Sequence, residues 1–387
     1  MANRKNSNGN GSIYRRADGR WEGKYSVSDA DGSGKYIRKS VYGKTKDEVR
    51  RQLTHIQDEI DEGSYVEESN YKFSEWLDVW LEYYVKNAVK SFTYDSYLGI
   101  GNNYIKPALG GVKIKELKTT QIQRFYNHLL IDCGLSGKTV KNIHGVVHRS
   151  LEQAYLIDEI RSNPSKKCTL PRTRRPEIEP LEFDDIQRFL HAIKGHKYEN
   201  VYYLTLFSGL RQGEVLGLTW KYVDFENNCI TICKQLKRTT HHKGAEYVLD
   251  CTKNGRSRSI ALADSVIDML KRQKEWQESC AVAAGSAWNN AMGLVFTNEL
   301  GGHLCHSTVY NNYKRIVKEL GLENKRFHDL RHTYAVAAIE SGDDIKTIQG
   351  NLGHSTASFT LDVYGHVTKS MRQSSAAKMQ DYINRVS

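Results

Sequence analysis

Seven side chains in the second half of the chain are of types that can act on a phosphodiester, and they stand where regular structure is expected to break. Arg211 and Glu214 lie in GLRQGEVLGLTW, Lys253 in TKNGRSRSIAL, His328 and Arg331 in RFHDLRHTYA, His354 in NLGHS and Tyr364 in FTLDVYGH. Phosphodiester transfer needs a nucleophile, positive charge on the non-bridging oxygens and a proton for the leaving oxygen. Two arginines can fork onto those oxygens. Imidazoles can donate a hydrogen bond or shuttle a proton, and a lysine can protonate the departing alkoxide. A tyrosine that keeps its proton is a poor nucleophile, since its reference pKa is about 10. Clustered cations favour the phenolate, and a covalent phosphotyrosine preserves the phosphodiester energy. This chemistry requires neither ATP nor a metal. No single residue is persuasive: the chain has 23 tyrosines, and a lone arginine is usually a surface charge.

The elements that must position these groups can be read from spacing. VYYLTLF (201–207) reads as a buried helix, and the Ser-Gly-Leu turn after it brings Arg211 to a helix entrance, with Glu214 one turn on and able to orient it. Lys253 precedes Asn254-Gly255, the strongest short-range hairpin signal in the chain. His354 follows the helix DDIKTIQGNLG, in which Ile345, Ile348 and Leu352 are expected to face inward. In RFHDLRHTYA, Asp329 suits a first turn, where the helix dipole favours a carboxylate. Leu330, Tyr334, Ala337 and Ala338 recur at core-facing positions, while His328, Arg331 and His332 share a second stripe. On its own that stripe reads as a solvated polar face.

Three modules are expected. Residues 1–65 carry three strands (SIYRR, WEGKYSV, KYIRKSV) separated by turn formers, then a helix opened by a Thr45/Glu48 capping box with Val49, Leu53, Ile56 and Ile60 as its apolar stripe. Basic and aromatic residues interleave there: Arg16, Arg20, Trp21, Lys24, Tyr36, Arg38 and Lys39. A sheet of this kind can enter a DNA major groove, or it is simply a soluble sheet. Residues 70–165 carry helical periodicity throughout. GLSGKT (134–139) ends like a phosphate-binding loop, but Asp132 stands where the first glycine belongs, so nucleotide binding is rejected. Residues 166–180 are basic and proline-rich, an extended connection whose Arg174 and Arg175, with Lys138 before them, suit a strap along phosphates or an ordinary solvated linker. Residues 181–387 form a mixed, mainly helical domain around one strand-rich stretch.

Bulk properties narrow the class. The net charge of +11 favours a polyanionic partner, and residues 1–57 alone hold 13 basic and 6 acidic side chains. The acidic run DEIDEGSYVEE (58–68) then marks the end of a module. Seven scattered cysteines imply free thiols in a reducing cytoplasm. No signal peptide or membrane span is expected, since VYYLTLF is far too short to cross a bilayer. His303, Cys305 and His306, or Cys229 and Cys233, do not complete a four-ligand zinc set.

Taken in order, GLRQGE, TKNGRSRSIAL, HDLRH, LGHS and TLDVYGH resemble the motifs of the tyrosine recombinases, the integrases of phages and conjugative transposons. The resemblance implies that Arg211 and Arg331 hold the scissile phosphate with His328 and His354 beside them, that Lys253 is the general acid and Glu214 its neighbours' support. Tyr364 would attack, giving a 3′-phosphotyrosine and a free 5′-hydroxyl. His332 falls outside that set and is expected to be structural. Arg256 and Arg258 could compete with Lys253 as the acid, but arginine gives up a proton far less readily. Gly365 stands where many relatives have Thr or Ser. The resemblance extends upstream: the helical module is similar to a core-binding domain and the basic sheet to an arm-type DNA-binding domain. Implied partners are double-stranded DNA attachment sites and a homotetramer on two duplexes, with room for an excision factor and a host DNA-bending protein, and no cofactor. The apolar face of Val367, Met371, Met379, Tyr382, Ile383 and Val386 would pack in cis or on a neighbouring protomer. A type IB topoisomerase and a non-catalytic DNA-binding regulator are the alternatives.

Overall fold

The structure is a computed structural model that describes residues 12–28, 36–62, 69–173, 179–238, 246–252, 255–353, 379–380 and 382–386. It divides into two compact units, 1–174 and 175–387.

The first unit opens with an antiparallel sheet of β1 (Ser12–Arg15), β2 (Trp21–Ser28) and β3 (Tyr36–Gly43) in that order. Helix α1 (Lys46–Asp61) starts as its sequence directs: the Thr45 side chain accepts from the Glu48 amide, and the Glu48 carboxylate reaches back to the Lys44 amide at 2.8 Å. Val49 is the one fully buried member of its stripe, with Leu53, Ile56 and Ile60 half-buried. The helix lies so close to the sheet that a Cβ on Gly23 would come within 2.6 Å of Val49 Cγ1.

The rest of this unit is helical. It contains α2 (Phe73–Val79) with a π-helical continuation to Val85, α3 (Ser91–Ile100), α4 (Lys106–Leu109), α5 (Thr119–Ile131) and α6 (Gly137–Leu156). Their core joins Phe73, Trp76, Leu77, Ile122, Phe125, Val140, Ile143, Val147 and Leu151. Each such side chain contributes about 1.5–3 kcal/mol by leaving water. The loop-like GLSGKT is a helix start: Ser136 caps α6 by accepting from the Thr139 amide at 3.2 Å.

The expected free linker is partly docked. Pro164–Lys167 form a 3₁₀ turn, Thr119 donates to the Pro164 carbonyl at 2.7 Å, and the Thr169 amide donates to Gln123 at 2.8 Å. Prolines remove donors, but Ser165, Lys166, Thr169 and Thr173 find side-chain partners on α5 and α6, so the first part of the stretch packs against the helical module.

The second unit contains α7 (Phe183–Ile193), α8 (Glu199–Ser208), α9 (Gln212–Leu216), β4 (Val223–Asp224), β5 (Cys229–Ile232), β6 (Lys234–Arg238), β7 (Tyr247–Cys251), β8 (Arg258–Ala261), α10 (Asp264–Ala284), α11 (His306–Glu319), α12 (Asp329–Glu340) and α13 (Ile345–Leu352). There are two small sheets among the described residues of this unit, β4-β5-β8 and β6 paired with β7. The strands on either side of Asn254-Gly255 therefore do not form the expected hairpin with each other. β7 pairs with β6 and β8 with β5, so the strands before and after Asn254-Gly255 belong to different sheets. Gly255 stands at φ +67°, and its amide donates to the Thr252 carbonyl at 2.9 Å. The core explains the choice of partner: Ile260 of β8, Ile230 and Ile232 of β5 all enter the main cluster with α8 and α10 residues. No described helix is long and apolar enough to cross a membrane.

Candidate active site

The site grows from the C-terminal end of α8. Gly209 ends that helix in the left-handed conformation at φ +67°, and a Cβ there would lie 2.4 Å from Tyr334 Cδ1 and 2.8 Å from Leu352 Cδ2. Only glycine gives both the dihedral and the close approach. The turn delivers Arg211 to the N-cap of α9, where its amide donates to Glu214 Oε2 at 3.0 Å and its guanidinium to Glu214 Oε1 at 2.7 Å. The expected orientation of Arg211 by Glu214 is thus present. The Arg211 side chain remains 30% exposed, while Glu214 is 2% exposed.

Glu214 has a second guanidinium partner that sequence reasoning considered only as a rival acid. Arg258, at the start of β8, donates to Glu214 Oε1 at 3.1 Å and Oε2 at 2.6 Å, and its Nε–H to the Asn351 carbonyl at 2.7 Å. Burial alone would raise the Glu214 pKa. The hydrogen bonds and charge of Arg258, then the charge of Arg211, outweigh it and hold the carboxyl at about 2. The signal for Arg258 was available: it alternates with Ile260, which puts both on the inward face of the strand.

Helix α12 begins with His328 at its N-cap and Asp329 in its first turn, as the sequence indicates. Asp329 accepts from the Arg326 amide at 2.7 Å and from its guanidinium at 2.8 Å. The stripe of His328, Arg331 and His332 is not a solvated face. Arg331 is 1% exposed and His332 is buried, whereas His328 is open to solvent on part of its ring. The Arg331 guanidinium donates to the Gly209 carbonyl at 2.7 Å and to that of Leu352. It therefore joins the turn before Arg211 to the end of α13. His328 and His332 meet edge to face with centroids 4.8 Å apart. Burial, then the neighbouring His328, pushes the His332 pKa down to about 4. Loss of water around the ring, then the charges of Arg331 and Arg211, also lowers that of His328. Both imidazoles are neutral at pH 7 and available as hydrogen-bonding groups. On the apolar side, Leu330 is buried and Tyr334 and Ala338 half-buried, but Ala337 is exposed; the helix buries its first turns on all sides and rotates Ala337 outward later.

Helix α13 starts on Asp344, whose carboxylate accepts from the Lys346 and Thr347 amides. Ile348 and Leu352 are buried and Ile345 half-buried. Lys253, His354 and Tyr364 lie outside the described residues, as do Asn254, Arg174, Arg175, Val367 and Met371. Among the candidates, the structure therefore brings together Arg211, Glu214, His328 and Arg331, and adds Arg258.

The N-terminal candidates divide between two faces of the sheet. Tyr14, Glu22, Lys24, Tyr36, Arg38 and Tyr42 occupy the face away from α1 by their register. Lys24 lies over the Tyr14 ring at 5.1 Å, and Arg16 and Arg20 over Tyr42 at 5.5 and 5.9 Å. Trp21 and Lys39 fall on the α1 side, where Trp21 packs under Lys46 at 5.7 Å. Arg20 is engaged with Asp18 at 2.8 Å. Lys138 is exposed in the first turn of α6. His303 and His306, considered for zinc, pack against the Tyr247 ring instead, at 4.4 and 5.5 Å.

Comparison with known proteins agrees with this architecture. Residues 179–371 match the Phage integrase family and residues 72–130 the N-terminal SAM-like domain of phage integrases. A tyrosine recombinase XerC-like protein of Caldanaerobacter subterraneus is 34% identical over 370 residues, covering 91% of this chain and 93% of that protein. The ICEBs1 integrase of Bacillus subtilis is 25% identical, covering 93% and 98%. The fold is similar to that of the Tn1549 transposon integrase solved with transposon right-end DNA (TM-score 0.67, 22% identity, 80% of this chain and 99% of that one). It is also similar to a lambda integrase dimer bound to a core site (TM-score 0.57, 18% identity, 94% and 97%). With Arg211, His328 and Arg331 brought together and a relative matching nearly end to end, the chain belongs to the tyrosine recombinase family of phage-type integrases and is a site-specific recombinase.

Proposed function

We propose that this recombinase integrates and excises a mobile element or prophage by metal-independent transesterification through a 3′-phosphotyrosine at Tyr364. The observation that carries the reading is the convergence of Arg211, His328 and Arg331 at one place, with a net excess of guanidinium over carboxylate. Arg211, partly exposed and fixed at a helix N-cap, grips a non-bridging oxygen of the scissile phosphate. Arg331 sits deeper and sets the turn that presents Arg211, and the family resemblance assigns it to the same phosphate. His328 and His354 donate hydrogen bonds, Lys253 protonates the leaving 5′-oxygen, and Tyr364 attacks. Removing one such preorganised donor costs on the order of 10²–10³ in rate.

In the same reading residues 1–65 are an arm-type DNA-binding domain, 70–165 a core-binding domain and 181–387 the catalytic domain, with the basic stretch 166–180 between them. The open sheet face of Lys24, Tyr36 and Arg38 contacts arm-site DNA, and Lys138 with Arg174 and Arg175 contacts phosphates. The solved relatives described above were captured on DNA, and a lambda integrase tetramer was solved on a Holliday junction. By that analogy this chain assembles as a tetramer on two duplex attachment sites in the cytoplasm. The exposed Met379, Tyr382, Ile383 and Val386 supply an apolar face for that assembly.

The test mixes full-length chain with a labelled duplex from the boundary of the element that encodes it, nicked so that the cleaved strand cannot religate, in EDTA. A denaturing gel should show a covalent adduct with wild type and none with Tyr364→Phe, both binding the duplex. Binding without adduct from either protein would favour the non-catalytic regulator. An adduct that persists in the variant would remove Tyr364 from its role.

A further inference from the structure

We infer that Arg258 is a positioning residue for phosphodiester cleavage: it neutralises Glu214, so that Arg211 is held in place by that carboxylate yet keeps its positive charge for the phosphate. The inference rests on the proposed role of Arg211. Three observations lead to it.

The first is stoichiometry. One carboxylate, Glu214, is shared by two guanidiniums, Arg211 through Oε1 at 2.7 Å and Arg258 through both oxygens at 3.1 and 2.6 Å. Were Glu214 paired with Arg211 alone, the two charges would cancel and the pair would have little attraction for an anion. With Arg258 gripping the carboxylate in fork geometry, the triad carries one net positive charge. The more exposed of its two arginines, Arg211 at 30% against 12% for Arg258, is the one that faces outward.

The second is reach. The Nε–H of Arg258 donates to the Asn351 carbonyl, and the adjacent Leu352 carbonyl accepts from Arg331. The last carbonyls of α13 have no partner within the helix and carry the negative end of its dipole, so both arginines cap it. Arg258 thus fixes the exit of α13, from which the chain runs directly to His354. One side chain ties α9, β8 and α13 together.

The third is fit. Gly353 follows at φ +64°, and a Cβ on it would come within 3.2 Å of Arg258 Cδ and Nη1. A side chain at 353 would crowd the Arg258 guanidinium, and glycine leaves room for it. With Nε, Nη1 and Nη2 all engaged, Arg258 is in no position to deliver a proton.

The experiment measures single-turnover adduct formation by the full chain on the nicked boundary duplex, with a charged scissile phosphate or with a neutral methylphosphonate at that position. Arg258→Met, Arg258→Lys, Glu214→Gln and the Met/Gln double variant are compared, with duplex binding and thermal unfolding recorded for each. Loss of an orienting partner typically costs about 10–100-fold. Arg258→Met should slow the phosphate reaction by about that factor with binding retained, and Arg258→Lys should recover part of it. In the Glu214→Gln background the Met substitution should add little, because the pair acts as a unit. On the methylphosphonate, which has no charge for Arg211 to meet, the deficit should shrink to a few-fold. An equal deficit on both substrates, an additive double variant or no deficit would overturn the proposal. If Arg258→Met does not fold, Arg258→Lys carries the same substrate comparison. Arg211→Ala is the control: if it cleaves the phosphate duplex as fast as wild type, the reading of the site itself fails, separately from the role of Arg258.

Discussion

Among the buried carboxylates held by arginine, Glu22 in the first unit and Glu214 in the second do opposite things with it. Glu22, in the middle strand of the N-terminal sheet, accepts from one guanidinium, that of Arg16 at 2.9 Å, and from the Ser40 hydroxyl at 2.8 Å. Tyr14, Ser40 and Arg16 together lower its pKa. Its cluster is electrically balanced, and it stiffens a sheet face on which Lys24 and Arg38 remain as outward charges. Glu214 is outnumbered. Two arginines converge on it, and the surplus charge points to where chemistry is proposed. A single carboxylate can therefore serve as a strut or as a device that supplies charge, and the count of guanidiniums around it decides which.

The comparison can be broken most severely at Glu214. Glu214→Ala leaves two guanidiniums, one nearly buried, without their anion, and should cost about 3–5 kcal/mol, read from chemical denaturation. Glu22→Gln, which keeps its shape beside a half-exposed Arg16, should cost distinctly less. Equal costs would remove the distinction between the two sites.

Acid titration sharpens it further. A carboxyl whose folded pKa lies below its unfolded value stabilises the fold above the unfolded pKa and loses that stabilisation as pH falls. For Glu214 the window runs from its ordinary 4.5 down to about 2, and the stabilisation is about 3 kcal/mol by linkage. Denaturation midpoints measured across that window should fall for wild type and be flat in this contribution for Glu214→Gln. His332 works at a higher range: its depressed pKa means stability that is present above about 6.5 and declines as pH falls toward about 4. An NMR titration that finds His332 protonating near 6.5 would contradict its burial.

The smallest expected effect is at Gly209. Gly209→Ala forces a side chain into the left-handed region and against Tyr334, at a cost of about 1–3 kcal/mol. Cleavage should fall by more than that loss of stability implies, because the turn sets Arg211. A variant as active as wild type would show that the turn tolerates adjustment.

Much of this was legible in the sequence, and the failures have physical reasons. The Thr45 cap, the Asp329 helix start and the Arg211–Glu214 pairing are local, set by residues three apart, and short-range rules suffice for them. The polar stripe of α12 was ambiguous because periodicity reports which residues share a face and not whether that face meets water; Arg331 turned out to be buried by α13 and the Gly209 turn, 21 and 122 residues away. The Asn-Gly signal suggested that the strands on either side of it pair with each other, but their partners are chosen by the distant core around Ile260. Trp21 and Lys39 were grouped with Lys24 by composition, yet strand alternation places them on the helix side. Arg258 was weighed only as an acid, although the same alternation marks it as inward-facing.

The central claim is that Tyr364 forms a bond to a 3′-phosphate in a site organised by Arg211, His328 and Arg331. The most direct measurement is to trap the adduct on the nicked duplex, digest both protein and DNA, and locate the linkage by mass spectrometry. The account predicts a nucleotide joined through its 3′-phosphate to the peptide containing Tyr364. A linkage to another residue, or to a 5′-phosphate, would contradict it.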